Sequence, residues 1–193
     1  MDSKELKRLV CQDEDNKSKT MNTIKALILD FDRTLFNTDA DIEVRKNKKG
    51  SELIWDEVFA VIPQYRLYDG WREVFAWCKD NSIKIGIVST AKKVLIERTL
   101  NHFGLECNVI VGWQMFFQKP HKRLVEMALK KLKVDKTEVI SIGDAVVDRE
   151  MSFNGEVRFV GAIWDSTEID ELRQGEVVEN PLDIINLITR EKE

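Results

Sequence analysis

The fold is decided by the stretch Leu27-Ile28-Leu29-Asp30-Phe31-Asp32-Arg33-Thr34-Leu35-Phe36. The short aliphatic run over residues 25–29 predicts a buried strand. Asp30 and Asp32 then fall where that strand ends. In open α/β sheets, ligands bind just outside the carboxyl ends of the strands. A carboxylate at this position can act as a nucleophile, an acid, a base or a metal ligand.

The composition is that of an ordinary globular protein. The chain has 193 residues, a length that is enough for one buried domain with a small insertion. Of these residues, 43% are hydrophobic and 33% are charged, which is typical of a globular protein. A formal net charge of −4 disfavours nucleic acid as the main partner. We expect no membrane span and no signal peptide, because no apolar run approaches the roughly 20 residues of a membrane helix. Three isolated cysteines fit neither a disulfide framework nor a zinc site, so a reducing cytoplasm is the expected location.

Strand and helix patterns alternate from residue 25 onward. Apolar runs predict five strands, at 25–29, 83–88, 108–111, 139–142 and 157–160. Helical spacing predicts helices over 71–78 with Asp69 as a cap, over 96–103 with Gly104 as the stop, from Lys119-Pro120 to Leu132, and over 181–188. This alternation predicts an α/β fold, a three-layer Rossmann-like parallel sheet with helices on both faces.

The domain boundaries follow from the same patterns. Residues 1–22 form a charged tail without a clear apolar face, which predicts a frayed or disordered segment. The core then comprises 23–35 and 69–193. Residues 36–68 form a small helical cap insertion, with one helix that Ser51 begins and Pro63 ends. The insertion also carries a basic cluster, Arg45, Lys46, Lys48 and Lys49, and two aromatic residues, Trp55 and Phe59, which we expect to be packing residues.

Four polar signals fall at strand ends or in loops. They are the pair Asp30/Asp32, then Ser89, then Lys119, and lastly Asp144 with Asp148. Each alone has an ordinary explanation: solvated acids, a helix cap, a solvated lysine, and acids near a positive helix N-terminus. The carboxyl ends of parallel strands share one edge of the sheet, so these side chains can converge. Together they predict an active site.

These residues also resemble the motifs of the haloacid dehalogenase-like hydrolase superfamily. The resemblance covers about residues 24–189. The four matching motifs are Asp30-Phe31-Asp32-Arg33-Thr34, the strand Ile85-Gly86-Ile87-Val88 followed by Ser89, Lys119-Pro120, and Gly143-Asp144-Ala145-Val146-Val147-Asp148. Arg33 departs from the pattern, because the family often has Gly there, and this leaves the substrate open.

The resemblance implies a phosphatase that works through an aspartyl-phosphate. In that mechanism Asp30 is the nucleophile and Asp32 is the acid and base. Lys119 and Ser89 are the remaining catalytic residues, which hold the transferring phosphoryl group. An acid at position 32 favours phosphoryl chemistry over dehalogenation, since a halide needs no proton to leave. We predict Thr34, Arg33 and Thr90 as substrate-binding residues.

A cation is required where several carboxylates share one pocket. Two carboxylates ~4 Å apart repel by ~4 kcal/mol at an effective dielectric of ~20. Mg²⁺ suits carboxylate oxygens together with a substrate oxygen. The predicted ligands are Asp30 and Asp144, Asp148 directly or through water, and the backbone carbonyl of Asp32.

Several alternatives stay open at this point. The same residues would serve a phosphomutase, in which a sugar hydroxyl accepts the phosphoryl group, and a non-catalytic binding module is less favoured. The expected partner is a phosphorylated small molecule, and a larger phosphorylated substrate fits a small cap. The residues Trp113, Met115, Phe116 and Phe117 belong either to the core or to an apolar wall of the substrate site. The oligomeric state is open.

Overall fold

The computed structural model describes residues 23–41, Val44 and 55–190. The predicted tail over 1–22, the predicted cap residue Ser51 and the basic cluster of the insertion lie outside the described residues. Within the described part, no helix combines the length and the apolar character that a membrane crossing needs.

Within the described residues, six parallel strands form the core sheet: β1 (Ala26–Leu29), β4 (Lys84–Val88), β5 (Val109–Val111), β6 (Val139–Gly143), β7 (Arg158–Ala162) and β8 (Val177–Val178). Their order across the sheet is β5-β4-β1-β6-β7-β8. The motif-bearing strand β1 lies inside the sheet, between β4 and β6. In the parallel register, Leu29 pairs with Ile87 and with Ile142. The carboxyl ends of these three strands therefore lie side by side.

Helices cover both faces of this sheet. They are α2 (Trp71–Asp80), α3 (Lys93–Phe103), α4 (Arg123–Leu132), α5 (Val146–Asn154), the short α6 (Ile169–Leu172) and α7 (Asp183–Arg190). Leu27 and Leu29 of β1 pack with α2, α3 and α7, whereas Ala26 and Ile28 pack with α4 and Met151 of α5. Successive side chains of a strand point to opposite faces, so β1 is buried on both. This arrangement confirms the predicted three-layer α/β fold.

The insertion begins and ends in a small antiparallel pair. Its strands are β2 (Phe36–Asn37) and β3 (Arg66–Leu67), and between them lies helix α1 (Trp55–Ala60). Trp55 and Phe59 pack against the main core cluster, as predicted. The cations of Lys92 and Arg98 lie 4.3 and 4.0 Å from the centres of these two rings. That segment 36–68 acts as a cap stays a prediction.

Two predicted helix starts are wrong. Helix α2 is preceded by Gly70 at φ 94°, not by a cap from Asp69, and no side chain caps it. A left-handed backbone at this position suits glycine, which carries no Cβ. The segment Lys119-Pro120 is a turn instead of a first helical turn, since helix α4 begins only at Arg123. The predicted stop at Gly104 is confirmed, with φ 67° at the end of α3.

Candidate active site

Asp30 and Lys119 form a buried ion pair at the carboxyl end of β1. The backbone N–H of Asp30 still donates to Ile142 of β6 at 2.9 Å, so the sheet fixes this residue directly. The Lys119 ammonium contacts the Asp30 carboxylate and lies 2.6 Å from Asp148 Oδ1. The Lys119 side chain is 5% exposed. The loop before α4 therefore brings the lysine to two acids that come from different strand ends.

Asp144 and Asp148 complete the acidic cluster. Asp144 directly follows β6, and Asp148 lies in the first turn of α5, where its Oδ2 accepts from the N–H of Ala145 at 3.2 Å. Gly143 makes this approach possible, since a Cβ at that position would lie 2.5 Å from the Asp148 carboxyl group. Carboxylate oxygens of Asp30, Asp144 and Asp148 all lie within 4.8 Å of one another.

Thr34 orients Asp144. Its hydroxyl donates to Asp144 Oδ1 at 3.0 Å, and the side chain is fully buried. The Thr34 carbonyl in turn accepts from the indole N–H of Trp71 at 2.9 Å. The Ser166 hydroxyl donates to the backbone carbonyl of Asp144 at 2.5 Å. Asp144 is thus held from two sides, while the predicted contact of Thr34 with substrate stays a prediction.

Burial and mutual repulsion raise the pKa values of the acids. Burial raises the pKa of Asp30 well above its ordinary range, opposed by Lys119 and reinforced by the charges of Asp148 and Asp144. Burial, together with the charge of Asp148, raises the pKa of Asp144 to about 6, although the Thr34 hydrogen bond lowers it. Burial alone would lower the pKa of Lys119, but Asp148 and Asp30 outweigh it and the net direction is upward. The cluster thus holds more negative charge than one ammonium group balances.

This donor set fits a hard divalent cation. Three buried carboxylates supply the oxygen atoms that such ions prefer, and like charges at this separation repel unless a cation lies among them. Burial is the main cause of the raised pKa values of Asp30 and Asp144, and the repulsion among the acids adds to it. Oxygen donors alone do not choose between Mg²⁺ and other hard divalent ions.

Asp32 is oriented by a residue that the sequence analysis missed. The buried Thr38 hydroxyl donates to Asp32 Oδ1 at 2.5 Å. Thr38 follows directly after β2, so the insertion supplies this contact. A threonine four residues beyond the first motif carries no special sequence signal, and only the tight turn over residues 31–36 brings it back to Asp32. In that turn, the Phe36 N–H donates to the Phe31 carbonyl at 3.1 Å.

The remaining predicted site residues are Ser89, Thr90 and Arg33. Ser89 is buried at the end of β4, and its hydroxyl oxygen accepts from the N–H of Ala91 at 3.0 Å. It does not cap helix α3, which follows Lys92. Thr90 is exposed. The guanidinium group of Arg33 contacts the carboxylates of Asp39 and Asp165. The catalytic and substrate-binding roles of all these residues stay predictions.

The loop before Lys119 is more open than a core segment. Met115 is 72% and Phe116 82% exposed, so neither belongs to the core. Phe117 packs partly against the second core cluster and lies over His121, at 4.7 Å between ring centres. Of the two alternatives from the sequence, the exposed side chains favour an apolar surface beside the site.

The structure defines an α/β protein with a buried lysine and three acids at one edge of a parallel sheet, a site that suits a divalent cation. Comparison with known families agrees, since the family described as haloacid dehalogenase-like hydrolase matches residues 44–162. The chain belongs to this family. The matched segment takes in Ser89, Lys119, Asp144 and Asp148, and the first motif with Asp30 lies outside it.

Curated relatives match part of the chain. Pyrophosphatase PpaX of Listeria monocytogenes is 35% identical over 121 residues, which cover 56% of this chain and 56% of the relative. Pyrophosphatase PpaX of Listeria innocua is 37% identical over 100 residues, 50% of this chain and 46% of the relative. The chain thus spans about half the length of the curated relatives it matches.

Solved structures support the fold. A haloacid dehalogenase-superfamily hydrolase from Ehrlichia chaffeensis superimposes with a TM-score of 0.68 at 20% identity, covering 90% of this chain and 100% of that one. CbbY from Rhodobacter sphaeroides, solved in complex with phosphate, gives a TM-score of 0.69 at 16% identity and covers 83% and 96%. At these identities the likeness shows the fold alone.

Proposed function

We propose that this protein is a Mg²⁺-dependent phosphatase that hydrolyses a phosphate monoester through an aspartyl-phosphate. The observation that carries the proposal is the buried Asp30 carboxylate, paired with Lys119 and set among Asp144 and Asp148. A carboxylate held this firmly at a strand end is positioned for attack, and the lysine can stay with it as the phosphoryl group arrives.

The first step forms the covalent intermediate. An Asp30 carboxylate oxygen attacks phosphorus, and the bond from phosphorus to the leaving oxygen breaks. Asp32 gives its proton to that oxygen, so the product leaves as an alcohol. Lys119 and the Ser89 hydroxyl donate to the phosphoryl oxygens, where charge accumulates.

The second step reverses the proton transfer. Asp32 takes a proton from water as the water oxygen attacks phosphorus, the bond to Asp30 breaks, and inorganic phosphate leaves. Asp30, Asp144 and Asp148, with the backbone carbonyl of Asp32, would hold the cation. A bound Mg²⁺ would neutralise the acids and polarise a phosphoryl oxygen.

Pyrophosphate is a second candidate substrate, favoured by the names of the curated relatives. The same steps would then release phosphate in place of an alcohol. A phosphomutase needs a site that keeps water out, and the small insertion disfavours it.

The test is phosphate release from a panel of phosphate monoesters and pyrophosphate. We expect turnover with Mg²⁺, loss on chelation, and loss in Asp30→Asn. A matched control is Asp56→Asn, which changes an exposed acid of α1 and should keep full activity. Absence of turnover over the whole panel by the Mg²⁺-loaded wild-type protein would contradict the proposal.

A further inference from the structure

Arg33 bridges two acids that are far apart in the sequence, Asp39 and Asp165. One guanidinium nitrogen lies 3.1 Å from Asp39 Oδ1. The other lies 3.6 Å from Asp165 Oδ2 and 3.5 Å from the Asp165 carbonyl oxygen. Asp39 belongs to the turn after β2, and Asp165 to the loop after β7. The guanidinium group therefore joins the insertion to the core loop after β7.

The same loop after β7 also holds the end of the insertion. The Tyr68 hydroxyl donates to the Asp165 carboxylate. Burial and this hydrogen bond raise the pKa of Tyr68, so the phenol keeps the proton that it donates. Tyr68 follows directly after β3. Asp165 thus receives one contact from Tyr68, beside β3, and one from Arg33, which also contacts the turn after β2.

The contact between Arg33 and Asp39 lies next to the contact that orients Asp32. Thr38 is the residue before Asp39, and its hydroxyl donates to Asp32 Oδ1 at 2.5 Å. Arg33 is itself the residue after Asp32 and has a left-handed backbone, with φ 57°. This conformation is strained for a residue with a Cβ, and glycine adopts it freely. The contacts of the Arg33 side chain with Asp39 and Asp165 can offset that strain.

We propose that Arg33, Asp39 and Asp165 form a clamp whose role is to position Asp32 at the leaving oxygen. The clamp residues do not touch the reacting atoms. They fix the turn that carries Thr38, and Thr38 fixes the rotamer of Asp32. This inference rests on the proposed function, because it assigns the clamp to the acid of that mechanism.

A positioning role predicts an effect that depends on the leaving group. A general acid typically contributes 10²–10⁴-fold, and it matters most where the leaving oxygen is basic. Phenyl phosphate needs that proton more than p-nitrophenyl phosphate does, since the nitro group makes the phenol far more acidic. The two esters present nearly the same ring to the protein. Loss of the clamp should therefore slow the hydrolysis of phenyl phosphate much more than that of p-nitrophenyl phosphate.

The experiment compares kcat/KM of both esters in Arg33→Met and in the wild type, each loaded with Mg²⁺. This parameter reports the steps up to departure of the leaving group, whereas kcat also contains hydrolysis of the intermediate, which is the same for both esters. We expect kcat/KM for phenyl phosphate to fall by ~10-fold or more and kcat/KM for p-nitrophenyl phosphate to fall far less. Arg158→Met is the matched control, because Arg158 begins β7, at the end of the sheet away from the carboxyl ends of the strands, and pairs with Glu176 at 2.8 Å. This variant should hydrolyse both esters like the wild type. If Arg33→Met fails to fold, Asp165→Asn removes the same bridge from its other end.

Two outcomes would overturn the clamp. Equal losses of kcat/KM for the two esters would indicate a structural or substrate-binding role of Arg33, since neither depends on the leaving group. Unchanged kcat/KM for both esters would show that Arg33 does not position Asp32. A crystal structure of Arg33→Met separates the clamp from the proposed function, since retention of the Thr38–Asp32 contact there overturns the clamp even if the wild-type protein hydrolyses neither ester.

Discussion

Replacement of Asp144 by Asn should stabilise the metal-free protein. Asp144 is 8% exposed, faces Asp148 and has a pKa of about 6 in place of the ordinary 3.8. Because the folded-state pKa is raised, the free energy of unfolding falls as the pH rises from about 4 to about 6 and stays low above it. The difference between the two pKa values corresponds to about 3 kcal/mol. Asparagine removes this cost at neutral pH, and its amide oxygen can still accept from Thr34.

The assay is thermal unfolding near neutral pH, in a chelator and in excess Mg²⁺. For a chain of this length, 3 kcal/mol corresponds to a Tm higher by up to roughly 6–12 °C for Asp144→Asn in the chelator. Added Mg²⁺ should raise the Tm of the wild type by mass action and that of the variant much less. Asp135→Asn is the matched control, and for it we expect a lower Tm. The Thr137 N–H and O–H groups lower the pKa of that exposed acid, so its charged form is the one that stabilises the fold. A lower Tm for Asp144→Asn in the chelator would refute the reasoning.

Three other changes test separate parts of the structure. Gly143→Ala places a methyl group 2.5 Å from Asp148, so we expect weaker Mg²⁺ binding by calorimetry, and unchanged affinity would contradict this. Trp71→Phe removes the donor to the buried Thr34 carbonyl and should cost about 1–3 kcal/mol in urea unfolding, whereas no loss would show that the bond is dispensable. Burial raises the pKa of Cys107 to about 11, so peptide mass spectrometry should find slow alkylation of its thiol in the folded protein and fast alkylation after unfolding; equal rates would be inconsistent with this.

The sheet could be predicted from sequence because its strands are short, aliphatic and bounded by polar residues. The strands predicted at 25–29 and 139–142 lie within one residue of β1 and β6 at both ends. Position in a parallel sheet then explains why Asp30 and Asp144 meet although 114 positions separate them. Convergence of the acids with Lys119 is thus a consequence of topology, which an alternating pattern of strands and helices reveals.

The features that the sequence did not predict have other physical causes. Strands β2, β3 and β8 have two residues each, too few for any periodicity. The turn at Lys119-Pro120 depends on tertiary contacts of the lysine, which local helix propensity cannot register. The contacts of Thr38 with Asp32, and of Arg33 with its two acids, depend on side-chain directions in a tight turn. No spacing rule encodes those directions, so only coordinates reveal them.

Chemical trapping gives the most direct test of whether an aspartyl-phosphate forms at Asp30. Borohydride reduces an acyl phosphate to an alcohol, so quenching the enzyme during turnover should convert Asp30 to homoserine, which mass spectrometry of the peptide identifies. We expect homoserine at position 30 only when both substrate and Mg²⁺ are present. Homoserine at another acid of the cluster, or an unmodified Asp30 in an enzyme that is turning over, would contradict it.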